Sequence, residues 1–324
     1  MENEKVAGTK GVQESKNDQP LNKRRGIVFL YGFEWCNPNG DPSFDNEPRI
    51  YEGKVFVTDV FLKRRIRDYV AYVASSNKNE EWQKKNQIFV REITNEKGEK
   101  LTPEERVRQL LNEKEVTPKE MELLKKGCWD IRVFGCMIPL PGKETSFKSI
   151  GPVQATFGIS LNSVESLAVS ITNVMPSKEE KARGGAIGKK YVVPIAVVEH
   201  YLFVNQVTAK ETGMTEEDYN LLLEALKNLK LTPTLSTSSK NVTPLLIVEI
   251  EFKDSKYANL FGFLEAKEKK TIPTSIKDFE INLSKLCEKI ESLQGSIIEN
   301  YKVYVKKEYK ENFNIPQGVT VEEF

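Results

Sequence analysis

Histidine occurs once in this 324-residue chain, at His200, and the four cysteines Cys36, Cys128, Cys136 and Cys287 include no C-x-x-C pair. Structural zinc needs Cys and His ligands at familiar spacings, so that class is not indicated, and neither is a disulfide framework. Cysteine usage of this kind fits a reducing cytoplasm. No apolar run approaches the roughly 18 residues needed to span a bilayer, and the first residues lack the apolar stretch of a secretory signal. The G-x-x-x-x-G-K-[ST] order of a P-loop is missing, and no serine or cysteine sits in a recognisable nucleophile motif. The case for an enzyme is therefore thin. Excess charge is lacking too: 48 Lys and Arg against 47 Asp and Glu leave a net charge of +1. A polyanion would have to be met by a local strip of cations, not by a global field.

What is present is an ordinary globular composition, 39% hydrophobic and 29% charged, long enough for a sizeable core. Residues 1–22 are polar and read as a disordered tail; residues 23–324 read as one domain. Gly26 to Glu34 is β-rich and reads as a first strand. The stretch Asn37-Pro38-Asn39-Gly40-Asp41-Pro42 packs turn formers together. Thr58 to Val73 reads as a helix, with Leu62, Ile66, Tyr69, Val70 and Val73 on one stripe, Thr58 as N-cap and Asp59 in the first turn. From Ala74 to Gly127 the chain turns polar and looks like a helical insertion, with starts at Thr102-Pro103-Glu104-Glu105 and Thr117-Pro118-Lys119-Glu120.

Strand character returns at Asp130 to Ile138 and at Pro152 to Leu161. Ser177 to Lys190 is a Gly- and Lys-rich loop, and Tyr191 to Val207 is β-rich again. A helix with a capping-box start spans Thr215 to Leu229. Leu245 to Phe252 is a strand, Ile276 to Leu293 reads as helix, and Tyr301 to Val305 as a last strand. Without its insertions the order is βαββαβ, the plan of an α+β, RRM-like (ferredoxin-like) antiparallel sheet with helices on one face.

Several stretches carry candidate chemistry. In the helix, Lys63 and Arg67 lie one turn apart, with Arg64 further round. They are either a solvated face or a strip that follows successive phosphates. Loop Asn37 to Asp41 is either a plain turn or a nest of amides for an anion, with asparagines able to read base edges or ribose hydroxyls. A calcium loop using Asp41, Asp45 and Glu47 fails the expected spacing. The Gly/Lys loop offers Arg183, Lys189 and Lys190 for a phosphate chain, or is simply an exposed surface loop. Gly151-Pro152-Val153-Gln154 and Phe157-Gly158 place small residues and an amide where a sheet could approach a ligand or form a bulge. His200, in a β-rich run, reads as structural.

Taken in order, these stretches resemble a known family. Asn37 to Pro42, then Asn46-Glu47-Pro48-Arg49, Val57-Thr58-Asp59-Val60, Leu62-Lys63-Arg64 and Ile66-Arg67-Asp68-Tyr69-Val70 resemble the Cas family seven backbone proteins of type I Cascade effectors, closest to subtype I-B, then I-C. Asp130 to Gly135, Gly151 to Gln154, His200 to Val204 and Thr215 to Asp218 agree with this resemblance, which covers about residues 24–252. It implies an RRM-like palm, a fingers-like helical insertion (about 74–128) and a thumb-like loop (about 171–190). It further implies that copies stack head to tail along the spacer of a CRISPR guide RNA beside other Cascade subunits. The guide then pairs with target DNA. The RNA-binding positions so implied are Asn37, Asn39, Arg49, Lys63, Arg64, Arg67, Gln154, Arg183, Lys189 and Lys190. No cofactor or metal is expected. The alternative is a metal-dependent RNase of the type III backbone kind, using Asp41 or Asp45.

Overall fold

The computed structural model describes residues 19–112, 118–139, 146–172, 187–229 and 242–324. Strand β1 (Arg25–Cys36) runs through the centre, followed by the loop of residues 37–49 and the short hairpin β2 (Ile50–Tyr51) and β3 (Lys54–Val57). Helix α1 (Asp59–Ser76) begins where Thr58 Oγ1 accepts from the Phe61 amide at 3.3 Å. It buries Leu62, Ile66, Tyr69 and Val70, the stripe its periodicity requires. Full burial of side chains of this size contributes about 2 kcal/mol each. The insertion carries α2 (Glu80–Lys85), α3 (Pro103–Leu111), α4 (Pro118–Gly127) and α5 (Trp129–Phe134), then the hairpin β4 (Gly135–Pro139) and β5 (Ser146–Ile150).

Next come β6 (Val153–Ala155), β7 (Gly158–Ser160), β8 (Leu167–Thr172), the long β9 (Ile187–Val204), α6 (Gln206–Thr212), α7 (Glu216–Lys227) and β10 (Val242–Phe252). The C-terminal part adds β11 (Glu265–Glu268), β12 (Phe279–Asn282), α8 (Ser284–Leu293), β13 (Ile298–Val305), β14 (Phe313–Asn314) and β15 (Val321–Glu323). A ten-stranded sheet has the order β15-β13-β10-β1-β9-β7-β3-β2, with β6 and β8 also pairing with β9. The pairing is antiparallel throughout except where β13 meets β15.

Alternation along β1 splits the core in two. Ile27, Phe29, Tyr31 and Phe33 face α1, α5, α6 and α7. Val28 and Leu30 face the other way, onto Leu260, Ile276, Phe279, Leu286 and Ile290 of the C-terminal part. The expected arrangement with helices on one face is thus incomplete, because the C-terminal residues cover the second face.

Four further expectations need correction. Asp130 to Phe134 belongs to α5, and strand begins only at Gly135; every residue of α5 is buried, so it carries no one-sided apolar stripe to mark it as a helix. Ile276 to Leu293 is a 3₁₀ turn, then β12, then α8, with helix only from Ser284. β9 begins at Ile187, so Lys189 and Lys190 stand on a strand opposite Ser170 and Val169. Residues 19–22 are not tail. Leu21 is fully buried and its amide donates to Met214 O at 3.1 Å. Residues 1–18, and residues 173–186 of the expected thumb, lie outside the described residues. Among the described residues no helix is long and apolar enough to cross a membrane.

Candidate nucleic-acid interface

The loop of residues 37–49 closes on itself. The Asp41 amide donates to Glu47 O and the Asn46 amide to Asp41 O, both at 2.8 Å, while the Ser43 amide donates to Asp41 Oδ1 at 3.0 Å. Asn37 Nδ2 donates to Asn46 O at 2.6 Å. A Cβ on Gly40 would stand 2.5 Å from Asn46 O, so only glycine fits there. Within the stretch read as a nest, the Asp41 amide is thus spent inside the loop. The asparagines also serve as braces: Asn39 Oδ1 accepts from the Thr58 amide at 2.7 Å and fastens the loop to the start of α1. Asp41 accepts from Arg49 Nη1 at 2.5 Å as well as from Ser43, so its carboxylate is engaged within the protein.

Three of the four cations of α1 are held by carboxylates, while the fourth, Arg65, is fully buried and donates from Nη2 to Leu229 O at 2.7 Å. Lys63 pairs with Asp59 at 2.9 Å, Arg64 Nε with Asp68 at 3.0 Å, and Arg67 Nε with Asp130 at 3.0 Å. Lys63 and Arg67 do share one side, both over the Phe134 ring at 5.9 and 4.9 Å. Asp130 is fully buried and also accepts from the Phe89 and Val90 amides at 2.8 and 2.9 Å. One carboxylate thereby ties the insertion to α1.

Between this loop, α1 and the insertion lies a groove of about 770 Å³. Asn39, Arg49, Arg64 and Arg67 line one wall, and Val90, Arg91, Thr102, Pro103 and Arg106 line the other. Val60 (65% exposed) and Met137 (67%) add apolar surface. Of the predicted residues the groove unites Asn39, Arg49, Arg64 and Arg67; Asn37 and Lys63 adjoin it without lining it. Gln154 stands elsewhere. It is opposite Phe203 on β9, on the sheet face away from α1, with Nε2 donating to Gly151 O at 2.8 Å. Lys189 and Lys190 lie on the β8–β9 hairpin, outside the groove, and Arg183 lies outside the described residues. Arg91, Arg106, Val60, Val90 and Met137 were missed by sequence reasoning. Arg106, next to the Thr102–Glu105 capping box, is the one with a nearby signal.

Other motifs explain one another structurally. Arg132 pairs with Asp218 through two hydrogen bonds, 2.9 Å from Nε and 2.7 Å from Nη2, and its Nη1 donates to the carbonyls of Lys85, Lys125 and Lys126. Asp218 is also the N3 residue of the α7 capping box. The chain passes close to itself at Gly135 and Gly151: a Cβ on Gly135 would stand 2.1 Å from Ser149 O, and one on Gly151 2.1 Å from the Phe134 carbonyl carbon. His200 is buried between Tyr31 Oη at 3.2 Å and Thr156 O at 3.0 Å, and burial lowers its pKa to about 4.

Fold and groove together define an α+β scaffold with an arginine-lined cleft where sheet and helical insertion join. The family model described as CRISPR-associated protein Cas7 matches residues 23–284, and the chain belongs to that family. It is 25% identical to the CRISPR-associated protein Cas7 of Haloferax volcanii over 305 residues, 85% of this chain and 84% of that one. Among solved structures, a chain of a "CRISPR RNA-guided surveillance complex, pre-nicking" superposes with a TM-score of 0.55 at 11% identity, covering 93% of this chain and 96% of that one. A chain of a second "CRISPR RNA-guided surveillance complex" gives 0.53 at 11% identity, covering 93% and 94%. At that identity the structural likeness establishes the fold alone.

Proposed function

We propose that this chain is the CRISPR RNA-binding backbone subunit of a type I Cascade surveillance complex, repeated along the guide spacer so that exposed bases pair with target DNA in antiviral defence. The observation that carries the reading is the arginine-lined groove, on a chain that belongs to the Cas7 family across residues 23–284. Asn39, Arg49, Arg64 and Arg67 frame the RNA path, with a terminal guanidinium edge of each arginine left for phosphate.

The palm is RRM-like: β10-β1-β9-β7 are neighbours in that order, with α1 following the first of them in sequence and α7 the third. Exposed Leu167, Val169 and Ile171 alternate along β8, and this stripe with Lys189 and Lys190 is the thumb-side surface for the next copy in a head-to-tail filament. Other Cascade subunits meet the filament ends, in the cytoplasm. The role is non-catalytic, supported by the engagement of Asp41 with Arg49 and Ser43.

The test is to express the full chain with a repeat-spacer transcript and identify what co-purifies. A discrete RNA of repeat-spacer length is the expected result. A chain that retains no RNA under those conditions overturns the reading.

A further inference from the structure

The arginines of the groove differ in one electrostatic respect. Arg49, Arg64 and Arg67 each have a carboxylate of their own, in Asp41, Asp68 and Asp130. Arg91 and Arg106, on the insertion wall, have none within ion-pair distance among the described residues. Glu92 lies beside them but is taken by Lys100 at 3.0 Å.

Arg106 is anchored only by neutral acceptors. Its Nη2 donates to Ile88 O at 2.8 Å and its Nη1 to Gln109 Oε1 at 2.6 Å. Its buried Nε has no partner. Burial lowers the pKa of Arg106; Cys128 and the Asp130 carboxylate, itself paired with Arg67, oppose this, and the like charge of Arg91 adds to it. Two neighbouring guanidiniums with no ion-pair partner of their own repel each other, one of them partly out of water. An anion between them removes both costs.

The backbone that presents Arg91 is fixed. Asp130 accepts from the Phe89 and Val90 amides, and the Arg91 amide donates to Phe89 O at 2.9 Å. Its side chain is exposed, so it lines the groove without bracing anything. Exposed Val90 beside it, with Val60 and Met137 nearby, gives ribose and base an apolar surface next to the charge.

We propose that Arg91 and Arg106 are the principal phosphate ligands of the groove, taking neighbouring phosphates of single-stranded RNA, while the carboxylate-held arginines of α1 and the 37–49 loop act mainly as its frame. The inference rests on the RNA-binding reading above and assigns the charge within it.

The experiment titrates a short mixed-sequence single-stranded RNA against the full chain over a range of salt, for the parent, Arg91→Gln, Arg91→Gln/Arg106→Gln and Lys302→Gln. Lys302, on β13 at the other end of the sheet, is a charge control. Each phosphate contact adds about 0.7 to the slope of log affinity against log salt on a single strand, so Arg91→Gln lowers the slope by about 0.7 and the double variant by about 1.4. Lys302→Gln leaves the slope at the parent value. Arg91→Gln decides, because that exposed side chain supports no fold contact. If the parent binds with a salt-dependent slope and Arg91→Gln keeps it, the assignment fails and the RNA-binding reading stands. If the parent shows no RNA affinity, that reading fails and the assignment with it.

Discussion

Arg67 Nε donates to Asp130 Oδ2 at 3.0 Å, and Asp130, fully buried, also receives the Phe89 and Val90 amides. The pair therefore joins two walls of the groove that are distant in sequence. Breaking a buried charge pair from one side costs about 3–5 kcal/mol. Asp130→Ala is expected to lower unfolding free energy by about that amount in urea titrations, and to open residues 80–112 to limited proteolysis first. Cleavage of that segment at the parent rate would show that Asp130 does not hold the insertion.

Glu199 and His200 are neighbours on β9 that face opposite sides of the sheet and respond to pH with opposite sign. Burial raises the Glu199 pKa from 4.5 to about 7, against one hydrogen bond from the Gly262 amide. Its contribution to stability is full below pH 4.5 and is lost as pH rises toward 7. Burial lowers the His200 pKa from 6.5 to about 4, so its contribution is full above pH 6.5 and is lost as pH falls toward 4. Between about pH 4.5 and 6.5 the two nearly cancel.

Glu199→Gln removes one side of that balance. Other groups titrate in both proteins, so the parent-minus-variant difference in unfolding free energy isolates Glu199. It is expected to fall by about 3 kcal/mol from pH 4.5 to 7, at about 1.4 kcal/mol per pH unit. A difference that is flat or rises with pH would contradict the buried, neutral Glu199.

The thiols should be silent in the native chain. Burial pushes Cys36 and Cys136 up to about 12 and Cys287 to about 11, and raises Cys128 as well. At pH 8 the thiolate fraction of each is about one in a thousand or less. Ellman's reagent is expected to find almost no reactive thiol in buffer and all 4 cysteines in urea. Rapid reaction of one thiol without denaturant would place it at the surface.

Elements with a one-sided pattern and a cap were legible in the sequence. Helix α1 shows Leu62, Ile66, Tyr69 and Val70 behind Thr58, and α7 shows its Thr215–Asp218 box. Helix α5 was not, because a short segment buried all round looks the same as a buried strand. The segments around Asp130 and Thr215 stood out as motifs, but their shared purpose, the Arg132–Asp218 pair, exists only in three dimensions. Charge was legible residue by residue, yet its compensation was not. Lys63 and Arg67 read as free cations and are paired, while Arg91 and Arg106 drew no attention and are not. A groove assembled from the 37–49 loop, α1 and the insertion has no local spacing by which to find it.

The C-terminal residues lie beyond the stretch that carries the family resemblance, yet they bear on the proposed mode of RNA binding. An RRM stacks bases on aromatic side chains across its open sheet face. Here Val28 and Leu30 of β1 are covered on that face by Ile276, Phe279, Leu286 and Ile290. Stacking over the central strands would require displacing this cover, so the proposed RNA path runs through the groove instead. Phe279 is fully buried, and Phe279→Ala is expected to destabilise the chain by about 3–5 kcal/mol. Under conditions where the variant is still folded, by its near-UV circular dichroism, its RNA affinity and salt slope should match the parent. A selective gain or loss of RNA affinity in the folded variant would mean that RNA reaches the covered face after all.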